Sequence, residues 1–321
     1  MIKVSVIIPV YNSEKTLNTV INQLNNQTSK NLEAIFVDDG STDNSAKLIN
    51  EISNDAFNYQ YIYQENSGVG EARNKGIENA QGQYLMFLDP DDQIEDNFIE
   101  KGLELIENHD LAIMAFDTVD VAKQSILNEY RWFENTSINF DMFLNNFSKL
   151  YNSELLFSLW NKVYKKSIVM QNKIEFSNIR MGEDFLFNME YFEFIRMVNI
   201  DRDITYHYLR YSDGTATTSY RGDEFQCNYE NQKYMIRFLN KFNIYDESLV
   251  SLHWALILAY RFSDVRKLKN INHNDFIKAR QQYFQILSIY SNEKLVKVNY
   301  LPFIRKIKFF IMQTKLNRLF I

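Results

Sequence analysis

The chain has 321 residues, 45% of them hydrophobic and 24% charged, with a formal net charge of −6 at pH 7. This length accommodates one large α/β domain together with a smaller one, and the composition is ordinary for a globular protein. The acidic balance argues against nucleic acid as a partner. The lone cysteine, Cys227, excludes an internal disulfide or a cysteine-based zinc cluster.

The cellular location is predicted from what the sequence lacks. The short apolar run from Val4 to Val10 is broken by Pro9 and lacks the charged start and cleavage site of a signal peptide. No stretch approaches the ~20 apolar residues of a transmembrane helix. With the single cysteine, these features predict a cytoplasmic protein.

Residues 1–115 alternate between strand and helix patterns. This alternation predicts an α/β fold with a mostly parallel sheet flanked by helices. The predicted strands are Lys3 to Pro9, Leu32 to Val37, Tyr59 to Tyr63, Tyr84 to Leu88 and Leu111 to Phe116. Three polar turns follow strands 2, 3 and 4, at the sheet edge where open α/β sheets bind ligands.

The rest of the chain changes character twice. Residues 116–220 have a mixed pattern, with a helix predicted at Asp184 to Phe194 and a strand at Ile204 to Tyr211. Residues 221–321 show helical periodicity only. The helices predicted there are Glu224 to Phe242, Glu247 to Lys269 and Asp275 to Ser288.

The first motif is Asp89-Pro90-Asp91-Asp92, directly after an apolar strand. Carboxylates two residues apart suit a hard divalent cation such as Mg²⁺ or Mn²⁺, whose remaining positions phosphate oxygens and water would fill. Such a cation would neutralise charge on a diphosphate leaving group. The alternative is an acidic loop that caps the following helix, with Glu95 and Asp96 near the helix dipole.

The second motif runs from Asp38 to Asp43, again at a strand end. A carboxylate there can accept a hydrogen bond from the ring N–H of a pyrimidine. A turn with an N-cap is the other interpretation. Both hold together if Asp39 faces the ligand edge while Ser41 caps the helix.

The third motif, Asn66 to Asn74, is a glycine-bearing turn that opens a helix. The first helical turn presents Arg73, which suits a phosphate or a uracil carbonyl. A solvated helix start is the alternative. A dinucleotide fingerprint is disfavoured because it would need glycine in place of Arg73 and would follow the first strand.

These three motifs and the segment Val6 to Asn12 together resemble family-2 glycosyltransferases of the GT-A fold, of the bacterial cell-surface or exopolysaccharide type. The resemblance implies that Tyr11 stacks on the nucleobase, that Asp39 bonds the base and that Asp89 faces the ribose. It implies Asp91 as the ligand of Mn²⁺ or Mg²⁺. The full set implied to bind the nucleotide sugar is Pro9, Tyr11, Asp39, Ser67, Gly68, Arg73 and Asp89.

The same family places its catalytic base in an acidic pair that opens a later helix. The stretch Met181 to Phe187 is similar, which implies Asp184 as the base and Glu183 on the acceptor side. Without the family, Glu183 and Asp184 would be a favourable pair on a helix dipole. A carboxylate at position 184 is expected to be ionised at neutral pH and to take the acceptor proton.

Three further residues are weaker candidates. Trp160, in a segment that resembles the acceptor side of bacterial members, would stack on a sugar ring, although a core role is the common alternative. His207 would approach the diphosphate or metal, unless the protein itself satisfies its ring. Arg210, with Ser212 and the run Thr217 to Ser219, would belong to a loop that closes over the diphosphate.

The segment Tyr300 to Ile321 is basic and amphipathic. Such a helix can lie on an anionic membrane surface, here the inner face of the cell membrane. Packing on its own core, or on a second subunit in a homo-oligomer, is the equal alternative.

The predicted organisation is a catalytic GT-A domain, 1–220, followed by a helical region, 221–321. The domain would comprise a nucleotide-binding half, 1–115, and an acceptor half, 116–220. The resemblance implies an inverting enzyme that transfers a sugar from a uridine diphosphate sugar donor to a hydroxyl of a glycan or lipid-linked acceptor. An inactive scaffold module is one alternative. A sugar-phosphate nucleotidylyltransferase is another, although its glycine-rich loop is missing at Pro9 to Ser13.

Overall fold

A computed structural model describes residues 3–52, 57–177, 179, 181–211, 224–268, 273–293, 295–297 and 299 of the chain. The chain divides into two compact units, residues 1–215 and 216–321. The first unit contains one sheet with flanking helices, and the described part of the second unit is helical.

One mixed sheet organises the first unit. Its strands are β1 (Val4–Val10), β2 (Leu32–Asp39), β3 (Asn58–Gln64), β4 (Tyr84–Phe87), β5 (Gln93–Ile94), β6 (Leu111–Asp120), β7 (Ser125–Tyr130), β8 (Thr136–Asn139), β9 (Lys162–Lys165) and β10 (Met197–Arg210). The order across the sheet is β3-β2-β1-β4-β9-β6-β10-β5, with β7 beside β6 and β8 beside β10.

The first four strands are mutually parallel, and β6 and β10 form a second parallel pair. Strand β9 lies antiparallel between β4 and β6 and joins the two sets. Because β9 opposes both neighbours, β6 and β10 run in the same direction as β1–β4. All six strands therefore end at one edge, which we call the carboxyl edge.

The helices of the first unit are α1 (Leu17–Asn26), α2 (Ser45–Asn50), α3 (Val69–Asn79), α4 (Phe98–Ile106), α5 (Phe140–Asn145), α6 (Phe147–Asn152), α7 (Lys166–Asn172) and α8 (Glu183–Phe192). Helix α3 packs closely on the sheet through Gly76, where an added Cβ would lie 2.4 Å from Ile7 Cγ2. A larger residue there would push the helix away from β1.

The predicted mostly parallel α/β architecture is confirmed, and four of the six strands predicted in residues 1–211 lie within about two residues of their positions, while β6 ends four residues later than predicted, at Asp120. The sixth, β10, begins earlier than predicted, at Met197, with register shifts after Ile200. Strands β5, β7, β8 and β9 were not predicted. Three of them have four residues or fewer, too short for a periodic pattern.

The second unit contains α9 (Glu224–Lys241), α10 (Glu247–Leu268) and α11 (His273–Glu293). Its core includes Trp254 and Tyr283, both almost fully buried. Lys297, beyond α11, donates to Glu247 on α10 at 2.5 Å. Among the described helices, none is both long and apolar enough to cross a membrane.

Candidate functional site

The carboxyl edge brings the sequence motifs together. Tyr11 follows β1, Asp39 ends β2, and the turn to α3 follows β3. Asp89 and Asp91 come shortly after β4. Parallel strands therefore place four separate parts of the chain at one edge of the sheet.

Asp39 organises the turn after β3. Its carboxylate is 5% exposed and accepts hydrogen bonds from Gln64 Nε2 at 2.8 Å, Ser67 N at 2.7 Å and Gly68 N at 2.9 Å. Gly68 has φ of +97°, a conformation that favours glycine. Asp39 thus fixes the turn beside the place where the resemblance puts the nucleobase.

The other residues of the expected base site differ in accessibility. Tyr11 is 54% exposed, which leaves its ring free to stack on a planar ligand. Pro9 is buried within β1, so its ring packs inside the protein.

The expectation that Ser41 caps a helix is wrong. Helix α2 begins only at Ser45, with Asn44 before it. The Ser41 hydroxyl instead accepts from Asn12 N at 3.0 Å, and Ser41 N donates to Asp38 Oδ1 at 2.8 Å. Ser41 therefore ties the loop after β1 to the end of β2.

Asp92, the last residue of the acidic motif after β4, anchors the motif to β10. Buried Asp92 accepts from Tyr206 Oη at 2.5 Å and from Leu209 N at 2.9 Å, both on β10. Asp91 is exposed beside it. Crowding by protein and the negative charge of Asp89 raise the pKa of Asp91 to about 6.

The donor set of this motif fits a divalent cation. Asp89 and Asp91 offer hard oxygen ligands, and the mutual repulsion that raises the pKa of Asp91 is what a cation would relieve. Within the described part of the chain, no cluster of three or more His, Cys, Asp or Glu residues is arranged as a metal site. A cation here would need phosphate oxygens and water to complete its ligands.

Arg73, predicted to suit a phosphate or a uracil carbonyl, is buried among carboxylates. It is 4% exposed, and its guanidinium reaches Asp184 Oδ1 at 2.5 Å, Glu183 Oε1 at 3.0 Å and Asp89 Oδ1 at 3.3 Å. It also lies 5.6 Å over the Phe176 ring. The alternative of a solvated helix start is wrong, because three carboxylates contact the buried guanidinium.

Asp184 stands in the first turn of α8, next to this arginine. Helix α8 is preceded by Gly182, whose φ of +83° favours glycine. Burial raises the pKa of Asp184 above its ordinary range; the Arg73 charge opposes this rise, and Glu183 and Asp89 add to it. The expected full ionisation at neutral pH is therefore not favoured by the surroundings.

Trp160 and His207, two of the weaker candidates, make their contacts within the protein. Trp160 is 7% exposed and stacks on Tyr206 at 4.2 Å between ring centroids, so it belongs to the core and not to a sugar platform. His207 bonds Asp117 and Glu95 through its two ring nitrogens at 2.8 and 2.9 Å. Its ring is therefore satisfied within the protein, which favours the alternative interpretation given for this histidine.

Arg210 is exposed at the end of β10, on the carboxyl edge. Its expected companions in a closing loop, Ser212 and Thr217 to Ser219, lie outside the described residues. The segment 300–321 lies outside them as well.

Sequence reasoning missed two buried polar residues beside the acidic pair. Lys162 Nζ donates to Asn161 Oδ1 at 2.7 Å and to Ser158 O at 2.5 Å. Asn188, one turn after Asp184 on α8, donates to the same carbonyl at 3.1 Å. No local signal distinguishes Lys162, because β9 reads Lys-Val-Tyr-Lys, a pattern that a solvent-facing strand would also produce.

Comparison with known proteins gives this architecture its class. Residues 1–349 of Staphylococcus aureus TarS, crystallised with UDP-GlcNAc, superpose with a TM-score of 0.69 over 97% of this chain and 88% of TarS 1–349. At 19% identity this likeness shows the fold, that of a GT-A glycosyltransferase.

Residues 5–172 match the model of glycosyl transferase family 2. The chain belongs to that family. The resemblance drawn from the sequence motifs is thereby confirmed.

Individual relatives cover only part of the chain. EpsH of Bacillus subtilis strain 168 is 32% identical over 215 residues, which are 64% of this chain and 60% of EpsH. Glycosyltransferase GlyA of Streptococcus pneumoniae serotype 4 is 33% identical over 195 residues, 59% of this chain and 28% of GlyA. The chain thus corresponds to less than two thirds of the length of either relative.

Proposed function

We propose that this protein is an inverting glycosyltransferase that moves a sugar from a uridine diphosphate donor to a hydroxyl of a bacterial surface polymer or its lipid-linked precursor. The observation that carries the proposal is the ion network of Arg73, which holds Asp184 beside Asp89 at the carboxyl edge. A proton acceptor thus lies next to the strand ends that would bind the nucleotide.

In the proposed reaction, Asp184 accepts the proton of the acceptor hydroxyl as its oxygen attacks the anomeric carbon. The bond between that carbon and the diphosphate oxygen breaks in the same step, and the nucleoside diphosphate leaves with its electron pair. One displacement inverts the anomeric configuration. Asp184 needs to be deprotonated to act, although burial favours its neutral form.

On the donor side, Tyr11 would stack on the base and Asp39 would accept the ring N–H of uracil. Support comes from the exposure of Tyr11 and from the rigid turn that Asp39 holds through Ser67 and Gly68. TarS, which has a similar fold, binds UDP-GlcNAc in its crystal structure. Uridine diphosphate is therefore the nucleotide we propose.

Asp91, with Asp89 beside it, would hold Mn²⁺ or Mg²⁺. A divalent cation at this place supplies a positive charge that stabilises the leaving diphosphate. The two carboxylates would otherwise meet a diphosphate of the same charge sign, which is costly in a partly desolvated cleft.

The acceptor class rests on the relatives. Relatives named as poly(ribitol-phosphate) transferases are the β-glucosyltransferase of Bacillus spizizenii, 29% identical, and TarS of S. aureus, 25% identical. A polyol or sugar hydroxyl of a cell-surface polymer is accordingly the acceptor we propose. Attachment to the inner membrane face through 300–321 would bring the enzyme to a lipid-linked acceptor.

The deciding experiment incubates the full chain with UDP-GlcNAc, UDP-glucose and UDP-galactose and measures UDP release with Mn²⁺ or with EDTA. We expect release from at least one donor, abolished by EDTA and by Asp91→Asn. Asp203→Asn serves as the matched control, because Asp203 is exposed on β10 and pairs only with Lys101 in the described part of the chain. Full activity in EDTA would refute the metal, and no release from any UDP-sugar would refute the donor.

A further inference from the structure

We infer that Arg73 is a positioning residue that sets the base Asp184 against the donor edge. This inference rests on the proposed function and adds to it a positioning role for a buried arginine. Its guanidinium contacts carboxylates from two parts of the chain: Asp89 after β4, and Glu183 and Asp184 on α8.

The geometry favours positioning over ligand binding. Arg73 is 4% exposed, and both of its terminal nitrogens donate to carboxylates of the protein. Nη1 serves both acidic residues of α8, and Nη2 serves Asp89. Because a guanidinium is planar and rigid, its two nitrogens fix the separation between the base helix and the acidic motif.

Neighbouring contacts immobilise the arginine and the segment it holds. The guanidinium packs over Phe176, which itself stacks on Phe187 of α8 at 4.3 Å between centroids. Asn74, the next residue on α3, exchanges two hydrogen bonds with the Phe176 backbone, at 3.0 and 2.8 Å. Two adjacent residues of α3 therefore hold Phe176 and, through it, the segment that leads to Asp184.

Among the described residues, Arg73 is the cation that forms ion pairs with the three carboxylates at this junction. Glu183 comes from α8 itself and Asp89 from the loop after β4. Lys162 of β9 also interacts electrostatically with Asp184, but its Nζ donates to Asn161 Oδ1 and Ser158 O, and burial lowers its pKa. Arg73 is thus the group that holds the carboxylates together, and its loss would let Asp184 move away from the donor edge.

The test is a double-mutant cycle in the full chain. Arg73→Met should lower kcat about 10²-fold, as expected when a catalytic group is displaced by about 1 Å. In the Asp184→Asn background the same substitution should change kcat by less than about twofold, because the group it positions is already disabled. Arg73→Lys keeps the charge and should recover part of the lost rate.

Donor binding separates positioning from a direct ligand role. The Kd of UDP with Mn²⁺, measured by calorimetry, should stay within about threefold of wild type for Arg73→Lys. A large loss of UDP affinity with an unchanged kcat at saturating donor would overturn the inference. So would effects of Arg73→Met and Asp184→Asn that simply multiply.

Stability is checked in parallel, since Arg73→Met leaves buried carboxylates unpaired. If that variant fails to fold, the cycle is run with Arg73→Lys. Lys101→Met is the matched control, because it also removes a cation that pairs with a buried carboxylate. Lys101 Nζ lies 3.4 Å from Asp201 Oδ2, in the first half of β10. It should lower Tm and leave kcat at 25 °C unchanged.

Failure of the proposed function gives a different result. A wild-type protein that releases UDP from no UDP-sugar would refute the transferase proposal and, with it, the role of Arg73 in that reaction. An active protein with multiplicative effects would refute only the role of Arg73.

Discussion

Asp184 stands in opposing electrostatic surroundings, since burial disfavours its charge while Arg73 at 2.5 Å favours it. Asp184→Asn preserves the shape of the side chain and removes its ability to accept a proton. We expect kcat to fall roughly 10²–10⁴-fold while the Kd of UDP stays near the wild-type value. Steady-state kinetics together with calorimetry make this measurement.

Glu183→Gln is the comparison for that variant. Glu183 is buried beside the same arginine, but adjacent helical residues point about 100° apart. We expect a smaller loss of kcat. Near-normal turnover by Asp184→Asn would place the base elsewhere, and a product that retained the donor's anomeric configuration would refute the single displacement.

The pH dependence follows from the direction of the Asp184 shift. Its pKa is raised, so the carboxylate is protonated and inactive at low pH and becomes a base as pH rises through that pKa. An unperturbed aspartate titrates at about pH 3.9. We expect kcat to increase with pH along a limb that lies above that value, because the pKa of Asp184 is raised. A pH profile of kcat at saturating donor measures it, and a flat profile across pH 5–9 would contradict it.

At individual positions, the sequence predicted which element a residue lies on better than it predicted the contacts of its side chain. Asp39 and Tyr11 were placed at a strand edge because apolar strands followed by polar turns have a strong pattern. The contacts of Trp160, His207 and Arg73 could not be predicted, because their partners lie far along the chain. Arg73 meets Glu183 110 residues away, and no local pattern encodes such a contact.

At the scale of elements, long periodic segments were predicted well and short ones were not. Strand β9 has only four residues, yet it joins the two parallel sets of strands. Strand β7 has almost every residue exposed, so it lacks the alternation of a half-buried strand. The pairing of such strands depends on tertiary packing, which sequence periodicity does not report.

Helix α3 supplies a prediction at this scale. Asn74→Ala removes both hydrogen bonds to the Phe176 backbone and leaves those groups without a protein partner. We expect a stability loss of about 1–3 kcal/mol. A fall in kcat should accompany it, since the segment before Asp184 is loosened. Thermal unfolding and hydrogen exchange at Phe176 test this.

Asn79→Ala is the matched control on the same helix. Its amide donates only to Lys75 O, four residues earlier, at an exposed position. We expect this substitution to change Tm by no more than about 1–2 °C. The hydrogen-exchange rate at Phe176 should stay the same. Equal effects of the two substitutions would show that Asn74 does not anchor the segment.

On the scale of the whole molecule, charge is unevenly distributed along the chain. The net charge is −6, yet residues 300–321 hold Arg305, Lys306, Lys308, Lys315 and Arg318 and no acidic residue. Just before them, Lys297 is paired with Glu247 and its backbone N–H donates to Ser251 Oγ. Residue 297 is therefore held on the second unit, and the five charges that follow have no acidic neighbours in sequence.

This asymmetry leads to a prediction about membranes. A basic amphipathic segment gains about 1 kcal/mol per Lys or Arg near an anionic bilayer, an attraction that salt weakens. Deleting 300–321 should release the protein from vesicles containing phosphatidylglycerol, measured by co-sedimentation, while UDP release in solution stays largely intact. A full-length variant with Arg305→Gln, Lys306→Gln and Lys308→Gln keeps the apolar residues and removes three charges. It should bind these vesicles more weakly, and binding of the wild type should fall between 50 and 500 mM salt. If the deletion instead dissociates an oligomer or causes aggregation, the segment packs on protein, and the surface attachment is refuted.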